Sequence, residues 1–329
     1  MIHLALPDNL IRPLPFYLAM EEWAAQNLPE AEYFFSWRVK PTVIFGRHQR
    51  IDSEVDTAYC KANGIEVYRR KSGGGCVFAD MHNIMYSYIT PDEEVTGTFA
   101  RYTSMMAKAL QDLGLDAKAT GRNDIYIGNG KVSGNSFYHL RGRSIVHGTM
   151  LYDTDFTHIA KAITPSKSKL ESKHVKSVGS HITTLNKHLD MAIEDFDSYM
   201  IERMTDSELC LDAKQIAEVE AIAKPYFSNE WIYGRDGSGE ITVERRIEGA
   251  GEFRASIDLN EGVISDISLS GDFFSEEDEY AMLLDRLKGV RYKAKDIERA
   301  LNGTDVSKII TGLSNEEFIS TIITQKIQH

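Results

Sequence analysis

Apolar residues recur at helical spacing near the start of the chain: Phe16, Ala19, Met20 and Trp23 fall on one face of a segment running from Pro15 to about Asn27. Pro15 suits a helical first turn, where its missing N–H goes unnoticed, so the pattern predicts a helix packed on a core. Thr42 to Phe45 is apolar and strand-like. Asp56 can cap a short helix that Gly64 ends, and Ile65 to Tyr68 begins another strand. From Thr98 to Leu113 the positions Phe99, Tyr102, Met106, Ala109 and Leu113 return every three or four residues before Gly114, which predicts an amphipathic helix.

In the centre of the chain the period shortens. DIYIGNGKVSGNSFY and SIVHGTMLY read as strands of successive hairpins, turning at Asn129-Gly130 and at Arg141-Gly142-Arg143. Helical patterns follow near 155–163, 191–204 and 212–224, and Gly234 to Gly239 forms a polar, glycine-rich break. Beyond it, strands near 241–246, 252–258 and 263–269, with a turn at Asn260-Glu261-Gly262, precede three helical stretches. A length of 329 residues exceeds what one core usually serves. The expectation is an α/β (α+β) chain: a mixed, largely antiparallel sheet with flanking helices over 1–240, and a small α/β domain over 241–329. No repeat period or heptad run points to a solenoid or coiled coil.

The balance of residues narrows the function classes. A net charge of -12 disfavours a phosphate backbone as partner, so no nucleic acid is expected. No apolar run spans a bilayer, and MIHLALPDNLIRPLP lacks the form of a secretory signal, so the expected location is cytoplasmic and off the membrane. Cys60, Cys76 and Cys210 are odd in number and outside CxxC spacing, which predicts reduced thiols. No HExxH or similar spacing supports a transition metal.

Two constellations carry candidate chemistry. In Tyr68-Arg-Arg-Lys-Ser-Gly-Gly-Gly-Cys-Val-Phe78, a strand runs into three glycines whose bare N–H groups could face an anion, with Arg69, Arg70 and Lys71 adding charge. It is neither a Walker A loop nor GxGxxG; a tight bend is the alternative, which the adjacent arginines make less attractive. The second constellation, GRND at 121–124 and KVSGN at 131–135, sets Asp124 and Lys131 at the starts of paired strands. Alternation predicts Lys131, Ser133 and Asn135 on one face, with Val132, Gly134 and Ser136 on the other. Taken alone, a lysine after Asn-Gly is more often a solvated charge. His147 fits a general base or a satisfied structural imidazole equally, and Cys76 is more readily a core thiol than a nucleophile. The six lysines from Lys161 to Lys187 face one acid, Glu171, making a local basic stretch.

RRKSGGGCVF, GRND, KVSGN and HGTML, in this order and at these separations, resemble the lipoate-protein ligases. TVIFGRHQ and GVISDISLSGDFF extend the similarity over almost the whole chain. The resemblance implies a biotin-ligase-like large domain and a C-terminal accessory domain. It implies that ATP and lipoate, with Mg2+, give lipoyl-AMP, and that the lipoyl group passes to a lysine of lipoyl domains of 2-oxoacid dehydrogenase E2 subunits or of glycine-cleavage H protein.

By the same resemblance Arg70, Gly75, Cys76, Val77 and Phe78 line the adenylate pocket and Lys131 meets the carboxyl and α-phosphate oxygens. Joining two anions builds repulsion that an ammonium offsets. Asp124 is expected to hold Mg2+ or to orient Lys131; Ser72, Gly73, Gly74, Asn83, Asn123, Ser133 and His147 are further binding positions, and an apolar tunnel takes the tail. Ala79 stands where the family usually has His, Cys76 where it has a small Ala, and VGSHIT at 178–183 lacks the usual arginines. Competing readings are an ATP-independent octanoyl or lipoyl transferase working through Cys76 or Cys60, and a non-catalytic lipoate-binding homologue. Biotin ligase's GRGRxGR is absent. The C-terminal domain favours the ligase, whose small domain is expected to rotate about the Gly234–Gly239 break after adenylation.

Overall fold

The computed structural model describes residues 1–91, 95–120, 123–163, 182–234 and 239–323. Gly121 and Arg122, most of the lysine-rich stretch, residues 178–181 of VGSHIT and the middle of the 234–239 break lie outside the described residues.

Fourteen strands are formed by the described residues: β1 (Ile2–Ala5), β2 (Tyr33–Trp37), β3 (Thr42–Phe45), β4 (Glu66–Arg69), β5 (Val77–Ala79), β6 (Asn83–Pro91), β7 (Ala117–Thr120), β8 (Asp124–Ile127), β9 (Gly130–Leu140), β10 (Arg143–Leu151), β11 (Ser207–Cys210), β12 (Ile241–Ile247), β13 (Gly251–Asn260) and β14 (Val263–Gly271). Eight of them make one sheet in the order β11-β1-β2-β6-β10-β9-β8-β7. It is antiparallel from β2 to β7 and parallel where β1 meets β2 and β11. A smaller sheet, β4-β3-β5, carries the glycine segment between β4 and β5, and β12-β13-β14 forms a third.

The first helix, Leu14–Asn27, is buried from Leu14 through Ala25. Apolar spacing predicts one covered face; the structure wraps all of them, because the helix lies within a cluster of sheet residues that also takes in Val219 and Ala223. Glu21 and Glu22 therefore sit inside the protein and require partners. The helix Val95–Asp112 follows its stripe, burying Phe99, Tyr102, Met106 and Ala109 in a second cluster with Phe137 and Val146. Asp56 caps its short helix through Tyr59 N–H at 2.8 Å.

The β8–β9 hairpin departs from expectation. Its turn is Gly128-Asn129, with Gly128 at φ 56° and Ile127 paired to Gly130, one residue earlier than Asn129-Gly130. A bulge follows: Ile125 pairs with Ser133 and Tyr126 with Lys131, so Lys131 and Val132 together oppose one residue. Val132 joins Ile125 and Ile127 in the core, and Lys131 is turned toward Gly134 and the cavity, away from Ser133. Apolar burial of Val132 decides the register against simple alternation.

Residues 241–323 have a core of their own, in which Phe253, Ile257 and Leu269 meet Leu287, Ile297 and Phe318. The end of β14 and the residues after it rest on the glycine segment and on the loop after β3: Gly74 N–H donates to Phe273 O at 3.1 Å and Gly271 N–H to His48 O at 2.8 Å. Phe274 enters the second cluster, 5.7 Å from the Phe137 ring. Among the described residues no helix is long and apolar enough to cross a membrane.

Candidate active site

A cavity of about 420 Å3 opens where the large sheet, the glycine segment and the C-terminal module meet. Its wall changes character from one part to another. Leu18, Trp37, Ile44, Val77 and Met85 contribute an apolar part continuous with the first core, whereas Asn123, Asp124, Lys131, Asn135 and Thr149 contribute a polar part. Trp37 is fixed by a stack on Tyr17 at 5.1 Å and an N–H bond to Ser87 Oγ at 2.9 Å.

Arg70 forms the floor of the glycine segment. Its Nε donates to Ser72 Oγ (2.9 Å), Nη1 to Ile44 O (3.1 Å), and Nη2 to Gly73 O (2.6 Å) and Gly75 O (2.8 Å). All four acceptors are neutral. Burial pushes the guanidinium down to about 10, and it stays charged at neutral pH. A buried cation whose hydrogen bonds go to neutral oxygens leaves its charge to be balanced by an anionic ligand. The segment itself is packed to backbone contact: a Cβ on Gly46 would stand 2.1 Å from Gly74 O, and one on Gly73 2.3 Å from Phe273 O.

The other two expected cations are spent elsewhere. Arg69 is fully buried, donating to the carbonyls of Arg47, Gln49, Trp231 and Ile232. Lys71 bonds Glu22 at 2.5 Å. The glycine N–H groups are only partly turned to the cavity as well, since Gly74 N–H is taken by Phe273 O.

Lys131 Nζ lies 2.6 Å from Asp124 Oδ1 and crosses Gly134, where a Cβ would come within 2.7 Å of it. A side chain at 134 would therefore crowd the ammonium in this position. Asn123 and Asn135 exchange amide-to-carbonyl bonds (2.5 and 2.8 Å), clamping the Asp124 end of β8 to β9. His147 Nδ1 is 3.0 Å from both oxygens of Glu21, and Nε2 is 2.7 Å from Ser72 Oγ. Glu21 also accepts from Ser87 and Tyr138, so the carboxylate is the acceptor and Nδ1 carries the proton.

Of the residues singled out in the sequence, the fold brings Arg70, Gly74, Gly75, Cys76, Val77, Asn123, Asp124, Lys131 and His147 to this cavity. Ser72, Gly73, Phe78, Asn83 and Ser133 stand off its wall. Ser72 is bonded between Arg70 and His147, Gly73 faces Phe273, and Phe78 packs in a core with Val43 and Ile65. Asn83 closes the β5–β6 turn by bonding Phe78 O and Asp80 N–H, and Ser133 bonds Asn135. Sequence reasoning missed the wall supplied by the C-terminal module, Arg246, Gly249, Gly251, Asp272 and Phe274, because no local pattern reports which surface a second module covers. Among the described residues no three His, Cys, Asp or Glu side chains converge as a metal site.

The family sequence model for the lipoyl protein ligase A/B catalytic domain matches residues 13–205, and that for the bacterial lipoate protein ligase C-terminus matches 239–322. Lipoate-protein ligase LplJ of Bacillus subtilis is 31% identical over 317 residues, covering 93% of this chain and 95% of that protein. This chain is a lipoate-protein ligase family member. Its fold is that of LipL1 from P. falciparum in complex with lipoate, at a TM-score of 0.78, 18% identity and 97% coverage of each chain. A structure of lipoate-protein ligase A bound with ATP superposes at TM-score 0.62 and 23% identity, covering 71% of this chain and 99% of that one. Of the segments that resemble the family, RRKSGGGCVF supplies Arg70, Gly74 and Gly75 to the wall, KVSGN supplies Lys131, and HGTML supplies His147.

Proposed function

We propose that this lipoate-protein ligase joins lipoate to ATP in the cavity, then passes the lipoyl group to a protein lysine. The observation that carries this is the placement of Lys131 and Arg70 in the same cavity as the apolar patch of Leu18, Trp37, Ile44 and Met85. An aliphatic tail bound by that patch puts its carboxylate among cations. A carboxylate oxygen attacks the α-phosphorus and pyrophosphate leaves; the acceptor ε-amine then attacks the acyl carbonyl and AMP leaves. Lys131 offsets repulsion between the two anions as they close, an effect worth several kcal/mol in a dry site.

Asp124 fits Mg2+: its Oδ1 is buried and, beyond the ion pair with Lys131, makes no hydrogen bond among the described residues. A carboxylate beside phosphates is what the ion takes as a protein ligand, and the ion would add positive charge there. The acceptors we propose are lipoyl domains of 2-oxoacid dehydrogenase E2 subunits and glycine-cleavage H protein, met in the cytoplasm, with residues 1–240 as catalytic domain and 241–329 as accessory domain. A transfer through Cys60 is opposed by burial, which pushes that thiol up.

Incubating the protein and its Lys131→Ala variant with Mg-ATP and lipoic acid, with mass spectrometry of the products, tests the proposal. Lipoyl-AMP from the wild type alone supports it; none from either rejects activation by ATP.

A further inference from the structure

Arg246 lies on β12, in the C-terminal module, and reaches the wall of the active-site cavity. Its Nη1 is buried and has no hydrogen-bond partner among the described residues. The nearest carboxylate oxygen, from Glu252 opposite it across β12 and β13, is 3.9 Å from that nitrogen, beyond hydrogen-bond reach. The cavity's other cations are committed: Arg70 to three carbonyls and Ser72, and Lys131 to Asp124. Of the two cavity carboxylates, Asp124 holds Lys131, and Asp272 accepts the Glu252 N–H at 2.7 Å. A desolvated guanidinium nitrogen with nothing to donate to is costly unless a ligand completes it.

From this arrangement we infer that Arg246 is a catalytic residue of the activation step alone, donating to the β- and γ-phosphate oxygens of ATP and to the pyrophosphate as it departs. The planar guanidinium fork matches phosphate oxygens in a way an ammonium does not. When the carboxylate oxygen bonds to the α-phosphorus, the bond from that phosphorus to the bridging oxygen breaks and its electron pair stays with pyrophosphate. Arg246 stabilises the charge gathering there and transfers no proton. The second step, aminolysis of the acyl-adenylate, releases AMP and creates no such charge, so it has no use for Arg246. The C-terminal module would thus contribute a reacting-centre side chain to one half-reaction of two.

This assignment rests on the adenylate reading above, and two assays separate them. Lipoyl-AMP formation from lipoate and Mg-ATP is measured by mass spectrometry for the wild type, Arg246→Ala and Arg246→Lys. Transfer is measured with synthetic lipoyl-AMP and a lipoyl domain. The expected result is a loss of about 10²–10³-fold in adenylate formation for Arg246→Ala, partial recovery in Arg246→Lys, and transfer rates within about twofold of wild type. Undiminished adenylate formation by Arg246→Ala overturns the assignment, as do equal losses in both assays, which mark a structural role. No adenylate from the wild type overturns the underlying reading and this one with it.

Discussion

His147 Nδ1 lies 3.0 Å from both carboxylate oxygens of Glu21, and both residues are buried. The contact joins the first helix to β10 and continues through His147 Nε2 to Ser72 and from Ser72 to Arg70. Glu21 is thus the far end of a hydrogen-bonded chain whose near end holds the carbonyls of Gly73 and Gly75. It positions the cavity floor without touching it.

Glu21→Gln keeps the shape and removes one of two acceptor oxygens, leaving Ser87, Tyr138 and His147 to compete for the other. We expect a stability loss of about 1–3 kcal/mol, read as a lowered urea midpoint with unchanged slope. Unchanged stability would mean that the chain tolerates a broken link.

Gly46→Ala drives a methyl group into the Gly74 carbonyl. Because the obstacle is backbone, the glycine segment must shift. The expected consequence is a drop of at least about tenfold in kcat/KM for ATP, from misplaced groups near the reacting atoms, in a protein that still unfolds cooperatively. Wild-type kinetics in Gly46→Ala would show that the segment moves freely.

Val77→Phe adds a ring to the half-buried wall of the apolar part. KM for lipoate should rise by about tenfold or more as the tail loses room, while KM for ATP changes little. Equal changes in both constants would argue that the tail lies elsewhere.

Asp197, bonded by the hydroxyls of Ser36 and Tyr86, has its carboxyl pushed up by burial. A carboxyl raised in the folded state keeps its proton there to higher pH than in the unfolded chain. Its ionisation penalty is absent below the ordinary carboxylate range and grows as pH rises through the raised value. Asp197→Asn abolishes that penalty but gives up an oxygen that accepts one of the two hydroxyls. Measured by urea unfolding, the variant should therefore compare more favourably with wild type at about pH 7.5 than at about pH 4.5. A difference independent of pH would remove Asp197 from the account.

Much of the framework was legible because periodicity reports local burial. The Phe99, Tyr102, Met106 stripe and the Asp56 cap stand as their spacing predicts. The first helix was legible as a helix but not as a wholly enclosed one, since Glu21 and Glu22 look like a solvent face until their partners at 71, 87, 138, 147 and 226 arrive from distant strands and helices. Strand alternation sets Lys131 beside Ser133, whereas a bulge fixed by the burial of Val132 turns it toward Gly134, and such a bulge leaves no mark in the alternation of the sequence. Arg246 was invisible for a different reason: its meaning depends on how two separately cored modules meet.

The close packing of Gly46, Gly73 and Gly74 has an evolutionary reading. There the enclosure is main chain held by Arg70, and main chain offers substitution almost nothing to alter. At the other end Leu18, Trp37, Ile44, Val77 and Met85 are ordinary exchangeable side chains. Descendants of such a scaffold can drift in the length and girth of the acid they accept while the step that energises it is inherited intact.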